Sequence, residues 1–339
     1  PQSWEEYWYE PLAGQEHTNP YNFNFIVDET PREQLASKLI KLGYYVIAMD
    51  FRTDMAMLQD GTDIGLDPTV EDWNGANNID HGWGTPMLQA LIHAIGNKYP
   101  THKLAIVGHS YGTTVVRDAM RRCFIDYING SIILGGNVDS LSPINPYERF
   151  SHVVVASGAN HGVSTYDSPY YFNNITMRGK ATHEMGSRDN YKLTYFMKPL
   201  NGDENDKYTI PCGDGYTLFG GGKYVAGGFD LNLCNGNRVK YMTLTIADPP
   251  DGNLNDEFVS EVSVALKPKI DGVDFSDNLI NATITEYDYD SSAYFFDSNG
   301  ADNVGFLVNH MGAIRSNAGM KKIIDFFDGT IDLEPISAP

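Results

Sequence analysis

The segment Leu104-Ala105-Ile106-Val107-Gly108-His109-Ser110-Tyr111-Gly112 constrains the fold more than any other stretch of the chain. Four apolar residues read as a strand, two glycines bracket a serine, and Thr113-Thr114-Val115-Val116 opens a helical pattern over 111–124. Strand, Gly-x-Ser-x-Gly and helix in that order make a sharp turn that presents one hydroxyl at the strand end. The glycines are expected to remove side chains that would collide with the neighbouring strand and helix. A serine hydroxyl is a weak nucleophile until a base takes its proton and backbone N–H groups meet the developing oxyanion. The N-terminus of the following helix favours that negative charge. Ser110 is the expected nucleophile, with the Tyr111 N–H as one oxyanion donor.

The pattern around this turn is an alternation of strands and helices. Phe23 to Val27 reads as a short strand. From Pro31 the spacing predicts a helix, with Leu35, Leu39, Ile40 and Leu42 on one face and Gly43 as its stop. Tyr44-Tyr45-Val46-Ile47-Ala48-Met49 is a continuous apolar run, the pattern of a strand buried on both faces. A second helix is predicted over about 84–98, and further strands at His152 to Ala156, Lys240 to Ala247 and Asn281 to Tyr287. A last helix is expected from Ala313 to Phe327. Such an order predicts an α/β fold with a mostly parallel sheet and helices on both faces. Residues 52–80 read as a long polar loop. The stretch 160–236, rich in Tyr, Asn and Gly, is too long for a simple crossover and reads as a cap or lid insertion in a single domain spanning 1–339.

With 339 residues the chain can bury a core without disulfides or metals. Its formal net charge of −20 disfavours nucleic acid and anionic membranes, which would repel it, and suits a solvated surface. No run of 18 apolar residues is present, so no stable membrane insertion is expected. Of three cysteines, Cys212 and Cys234 bracket a turn-rich stretch that a disulfide could staple, worth roughly 3 kcal/mol for a loop of about 20 residues. Cys123 sits in a helical pattern and reads as a buried free thiol. The loop cysteines, the glycosylation sequons at Asn129, Asn174 and Asn281, and a first residue that is Pro rather than Met fit a secreted, extracellular protein. No metal-ligand cluster or phosphate loop implies a cofactor; Asp288 and Asp290 are carboxylates of the kind that hold a structural Ca²⁺. Oligomeric state is not legible.

In this kind of fold the triad runs Ser, then Asp or Glu, then His. Among nine histidines, His17, His81, His93, His102 and His109 precede or adjoin the serine, His152 begins a strand and His183 lies in the expected cap. His310, in Asn309-His310-Met311 after the last strand, stands where a base can reach the nucleophile from the carboxyl edge of the sheet. His161 is the alternative, one strand early. The acid is expected in the loop after the strand ending at Ala247. Asp256 is the choice there, with Asp248 and Asp251 as alternatives.

Together, Gly108-His109-Ser110-Tyr111-Gly112, Ala159-Asn160-His161-Gly162, Asp256-Glu257-Phe258-Val259-Ser260 and Asn309-His310-Met311 resemble successive blocks of α/β-hydrolases, in particular bacterial lipases and extracellular polyhydroxybutyrate depolymerases. The resemblance runs from about Pro31 to Gly329, outside the two long insertions. It implies an α/β-hydrolase fold and a secreted carboxylic ester hydrolase working through an acyl-enzyme, with Ser110, Asp256 and His310 as triad. The substrate would be a small-molecule or polymeric ester, bound in part by Tyr166, Tyr170, Tyr171 and Phe172, whose equally good reading is packing within the cap. One departure stands out. These families carry an apolar strand ending in His-Gly before the first helix, and its loop supplies the second oxyanion N–H. Here His81-Gly82 comes too late, so either Phe23 to Val27 takes that place, with Asp28 or Glu29 after it, or the strand lies before Pro1, which is the reading we favour. A relative that keeps the fold as a non-catalytic binding protein, having lost half its oxyanion hole, is the contrasting expectation.

Overall fold

The computed structural model describes residues 16–18, 24–27, 34–49, 81–132, 140–160, 162, 239–247, 259, 261–266, 269–270, 273–274, 279–285, 295–297 and 312–329. The expected loop 52–80, nearly all of the expected cap, Cys212, Cys234, Asn174, Tyr166, Tyr170, Tyr171 and Phe172 lie outside them. So do His161, Asp248, Asp251, Asp256, Asp288, Asp290 and His310.

In chain order the elements are β1 Glu16–Thr18, β2 Asn24–Val27, α1 Leu35–Lys41, α2 His81–Lys98, β3 Leu104–His109, α3 Tyr111–Asn129, α4 Pro146–Arg149 and β4 Phe150–Ala156. They continue with β5 Lys240–Ala247, α5 Glu261–Val264, β6 Lys269–Ile270, β7 Val273–Asp274, β8 Leu279–Thr285, β9 Phe295–Asp297 and α6 Asn317–Asp328. The chain divides into two compact units, one of Pro1–Asn77, Leu244–Glu261 and Thr283–Asp332, the other of Asn78–Thr243, Val262–Ala282 and Leu333–Pro339.

The main sheet has the order β3-β4-β5-β8. β3 and β4 run parallel, from Leu104 opposite Phe150 to His109 opposite Ala156, with a register shift between Leu104 and Ala105. Parallel neighbours need a crossover, and α3 is the helix that follows β3. In β4, Val153, Val154, Val155 and Ala156 are all fully buried, as expected of a strand covered on both faces. α3 turns Val115, Val116, Ala119, Met120, Cys123 and Phe124 into the core of the second unit. Each such valine or phenylalanine contributes about 1.5–3 kcal/mol on leaving water. α2 joins them through Leu88 and Ile92. A Cβ placed on its Gly96 would lie 2.6 Å from the side chain of Ile144, so the helix admits the 140–145 connection at that point.

The first unit holds an antiparallel sheet of order β1-β2-β9, with Ile26 opposite both Glu16 and Phe296. α1 ends as its sequence predicts. Gly43 is left-handed (φ 92°), its N–H donates to the Ile40 carbonyl at 2.9 Å, and that of Tyr44 to Leu39 at 3.0 Å. These are the two hydrogen bonds of a Schellman stop, which glycine forms without Cβ strain.

Several sequence expectations need correction. The buried face of α1 is Gln34, Leu35, Ala36 and Leu39. Ile40 and Leu42 are 48% and 53% exposed, because the last turn swings past that face. The apolar run 44–49 is not a strand. Tyr45 is 77% exposed and Ile47 44%, while Tyr44, Val46, Ala48 and Met49 are half-buried. An apolar run becomes a doubly buried strand only when ladders form on both edges, and none forms here. Tyr44 is instead drawn to α6, its hydroxyl donating to Asp328 at 3.2 Å and its ring 6.0 Å from that of Phe327. The last helix is interrupted. Residues 312–315 make one turn, and Ser316 then caps α6, its extended backbone (φ −71°, ψ 154°) letting the side chain accept from the Gly319 N–H. Gly319 lies so close to the Ala313 carbonyl that a Cβ there would have no room.

Candidate active site

Ser110 stands between β3 and α3 with φ 54° and ψ −127°. That is a costly region for a residue with a Cβ, of order 1–3 kcal/mol, and such strain persists only where the surroundings over-determine it. Here the determinants are visible. The Ser110 N–H donates to the carbonyl of Ala156, the last residue of β4, at 3.0 Å. The Ser110 carbonyl accepts from the Thr113 N–H at 3.0 Å and from the Thr113 hydroxyl at 2.8 Å. The first turn of α3 is thereby closed on the serine's own backbone, and the residue is only partly buried.

Gly108 is required by contact: a Cβ would lie 2.8 Å from the Gly112 carbonyl oxygen and 3.0 Å from the Thr113 Cα, both backbone. Gly112 corrects the expectation for the second glycine, since a Cβ there would meet nothing within 4 Å. Crowding falls on Gly158 instead, whose missing Cβ makes room for the Thr113 side chain. His109 is buried, in keeping with a packing role. Tyr111 opens α3, where its N–H is among the donors that a helix N-terminus leaves without an intrahelical acceptor.

Beside the elbow, the chain leaving β4 makes a second strained turn. Ser157 has φ 48° and is fully buried; its partner in strain, Ser110, follows the neighbouring parallel strand. Sequence reasoning missed what holds this turn. Arg117, on α3 and 5% exposed, donates to the Asn160 carbonyl at 2.9 Å and to Asn160 Oδ1 at 3.1 Å. Asn160 Nδ2 donates to the Val264 carbonyl at 2.6 Å, and the Ser263 hydroxyl to the Gly162 carbonyl at 2.5 Å. The available signal was a charged pair, Arg117-Asp118, set between Val115-Val116 and Ala119-Met120.

Asn281, read as part of a sequon, has a different role. Its side chain accepts from the Thr243 hydroxyl at 2.7 Å and the Leu266 N–H at 3.1 Å, and donates to the Leu266 carbonyl at 3.0 Å. An amide nitrogen held in a strand this way is a poor glycan acceptor. Asn129 is exposed at the end of α3. β2 does not supply a missing strand of the main sheet, because it lies in the antiparallel sheet with β1 and β9. Cys123 is a buried free thiol, as expected. Among the described residues no group of three or more His, Cys, Asp or Glu is placed to hold a metal, and no helix is long and apolar enough to cross a membrane.

The parallel sheet, the strained serine between β3 and α3 and the helices around them make an α/β-hydrolase core. No protein-family model matches the chain, and no curated protein matches it. Among solved structures it is similar to a lipase of Bacillus licheniformis in mature form, with 14% identity over 75% of this chain and 76% of that one, at a TM-score of 0.37. The propeptide form of that lipase gives 15% identity and a TM-score of 0.38, covering 77% of this chain and 43% of the other. Phospholipase PlaB from Legionella pneumophila gives 13% identity over 73% of this chain and 51% of that one, at a TM-score of 0.34. Likenesses this low carry no argument, so the reading of the site stands on its own geometry.

Proposed function

We propose that the protein is a carboxylic ester hydrolase in which Ser110 forms an acyl-enzyme. The observation that carries this reading is the Ser110 backbone, held at φ 54° and ψ −127° between a parallel strand and a helix N-terminus. A buried glycine turn has no need of a strained serine. A nucleophile does, because the strain is what turns its hydroxyl out of the sheet edge.

In this mechanism Ser110 Oγ attacks the ester carbonyl while His310 accepts its proton and returns it to the leaving alcohol. Asp256 orients the imidazole and stabilises its charged form. Water then repeats the cycle on the acyl-enzyme. The Tyr111 N–H stabilises the tetrahedral oxyanion. Support for His310 and Asp256 comes from chain order and the resemblance of their blocks, not from their placement. Tyr166, Tyr170, Tyr171 and Phe172 would bind an apolar acyl group or polyester. No cofactor enters the reaction. Secretion is supported by the loop cysteines and the remaining sequons.

The test is covalent labelling with a fluorophosphonate, followed by peptide mapping, beside hydrolysis of short-chain nitrophenyl esters. Modification of Ser110 with turnover is the expected result. A chain that neither labels nor turns over would be a binding protein on a hydrolase fold. Comparing triglycerides, short esters and polyhydroxybutyrate films then separates lipase, esterase and depolymerase.

A further inference from the structure

We infer that Arg117 and Asn160 are positioning residues for the reaction proposed for Ser110, fastening the turn 157–162 against the nucleophile's own helix. The inference rests on the ester-hydrolase reading and extends it to residues that touch neither substrate nor the reacting hydroxyl.

Ser110 is held in its strained conformation from two sides, by Thr113 within α3 and by the Ala156 carbonyl at the end of β4. The second hold is only as rigid as the chain that follows Ala156. Ser157, the next residue, is itself strained at φ 48°, and left alone it would relax and carry the Ala156 carbonyl with it. What opposes relaxation is a set of bonds closing on the turn from three directions. Within it, the Asn160 N–H donates to the Gly158 carbonyl at 2.7 Å and the Gly162 N–H to Ala159 at 3.1 Å. From α3, two turns beyond the nucleophile, Arg117 Nη1 bonds Asn160 through both backbone and side-chain oxygens. From α5, the Val264 carbonyl accepts Asn160 Nδ2. Gly158 meanwhile packs on Thr113, the residue that caps the Ser110 carbonyl.

The arrangement is a closed circuit: Ser110, Ala156, the 157–160 turn, Arg117 and α3 back to Ser110. Asn160 is its junction, fully buried with its side-chain oxygen and nitrogen both engaged. A buried arginine is expensive to desolvate, and a methionine would fill the volume with less cost. Both bonds leave the same nitrogen, Nη1, whose two N–H groups reach the backbone and side-chain oxygens of Asn160 together, a junction that methionine cannot make.

The test measures fluorophosphonate labelling rate, kcat, KM and thermal midpoint for the full chain and for Arg117→Met, Arg117→Lys, Asn160→Ala and Asn160→Asp. Misplacement of a nucleophile by about 1 Å can cost on the order of 100-fold. Arg117→Met and Asn160→Ala should accordingly lower kcat and labelling by roughly 10- to 100-fold, with KM within about twofold. Asn160→Asp keeps an acceptor for Arg117 and should lose less; Arg117→Lys should recover part of the loss. His93→Gln serves as the control, altering a buried network at the far end of α3: it should lower the midpoint while folded protein labels at the unaltered rate. Wild-type labelling rates in folded Arg117 and Asn160 variants would overturn the inference, as would losses matching only the unfolded fraction. Should the most disruptive pair fail to fold, Arg117→Lys and Asn160→Asp decide by the same criteria. Absence of labelling in the unaltered chain would instead defeat the ester-hydrolase reading, and with it this one.

Discussion

The two ends of α3 bury polar groups in opposite ways. At its start, Ser110 and Ser157 are strained, and the bonds around them hold an unfavourable backbone in place. At its end, roughly 24 Å along at 1.5 Å per residue, Asp126 is buried and receives both Gln89 Nε2 at 2.5 Å and His93 Nε2 at 2.9 Å. His93 is completed on its other nitrogen, where the Ile144 N–H donates to Nδ1 at 3.3 Å. With Nδ1 accepting, Nε2 is the nitrogen that donates to Asp126. Asn97 continues the fastening, exchanging hydrogen bonds with the backbone of Ser142 at 2.8 and 3.1 Å. No residue of this second network is in a strained conformation. One helix thus carries a strained end, where an unfavourable backbone is held by its neighbours, and a structural end, where the bonds join α2, α3 and the 140–145 connection.

The contrast is sharpest in Ser110→Ala. Removing the proposed nucleophile should abolish labelling and lower ester turnover by about 10³-fold or more, with the thermal midpoint unchanged. Ser110→Gly should be equally inactive and more stable, by about 1 kcal/mol, because glycine accepts φ 54° without strain. If both variants merely unfold, the division between the two ends is wrong.

Asp126→Ala should show the reverse behaviour. It strands two buried donors, each costing about 1–3 kcal/mol when left unsatisfied, read by denaturant unfolding. The fraction that remains folded should label at Ser110 at the normal rate. Slower labelling of folded protein would mean that the two ends communicate.

Gly108→Ala lies between these cases. Its Cβ would press on the backbone of Gly112 and Thr113, so stability should fall by about 1–3 kcal/mol and labelling should slow as well. Gly112→Ala, with open space at its Cβ, should be mild in both respects.

The smallest effects concern protons. Burial first, and then the Asp126 carboxylate, push the Cys123 thiol well above its ordinary range. Its stabilising contribution is therefore full below the unfolded thiol pKa and declines as pH rises beyond it, since only the unfolded chain then releases the proton. In native protein at pH 8 Cys123 should resist a thiol reagent that modifies it rapidly after unfolding. The imidazole of half-buried His152 is shifted the other way, down, by burial and then by the nearby Lys240 ammonium. It favours the fold above the ordinary value of 6.5 and loses that contribution as pH falls through the lower native one. His152→Gln should flatten the acid side of the stability profile slightly.

Local pattern carried much of this architecture. β5 runs from Lys240 to Ala247 as expected, and the elbow falls between β3 and α3 where the glycines put it. Periodicity is a property of neighbouring residues, so it survives in the sequence. It misled at 44–49 because an apolar run says nothing about the presence of ladder partners. It also overlooked Asn281, whose three side-chain bonds come from Thr243 and Leu266, residues distant or displaced in the chain. Gly158 and Arg117 escaped for the same reason: what they meet, Thr113 and Asn160, is set by packing.

By itself, then, the sequence determined the alternation of strand and helix, the place of the serine turn between β3 and α3 and the stop at Gly43, all consequences of backbone preference within a few residues. Only the tertiary structure decided that Ser110 and Ser157 are strained side by side, that Asn160 joins α3 to α5, and that His93 and Asp126 form a separate buried clamp. Each of those depends on groups dozens of residues apart reaching hydrogen-bond distance, and the free energy of such a contact exists only once the core has closed around it.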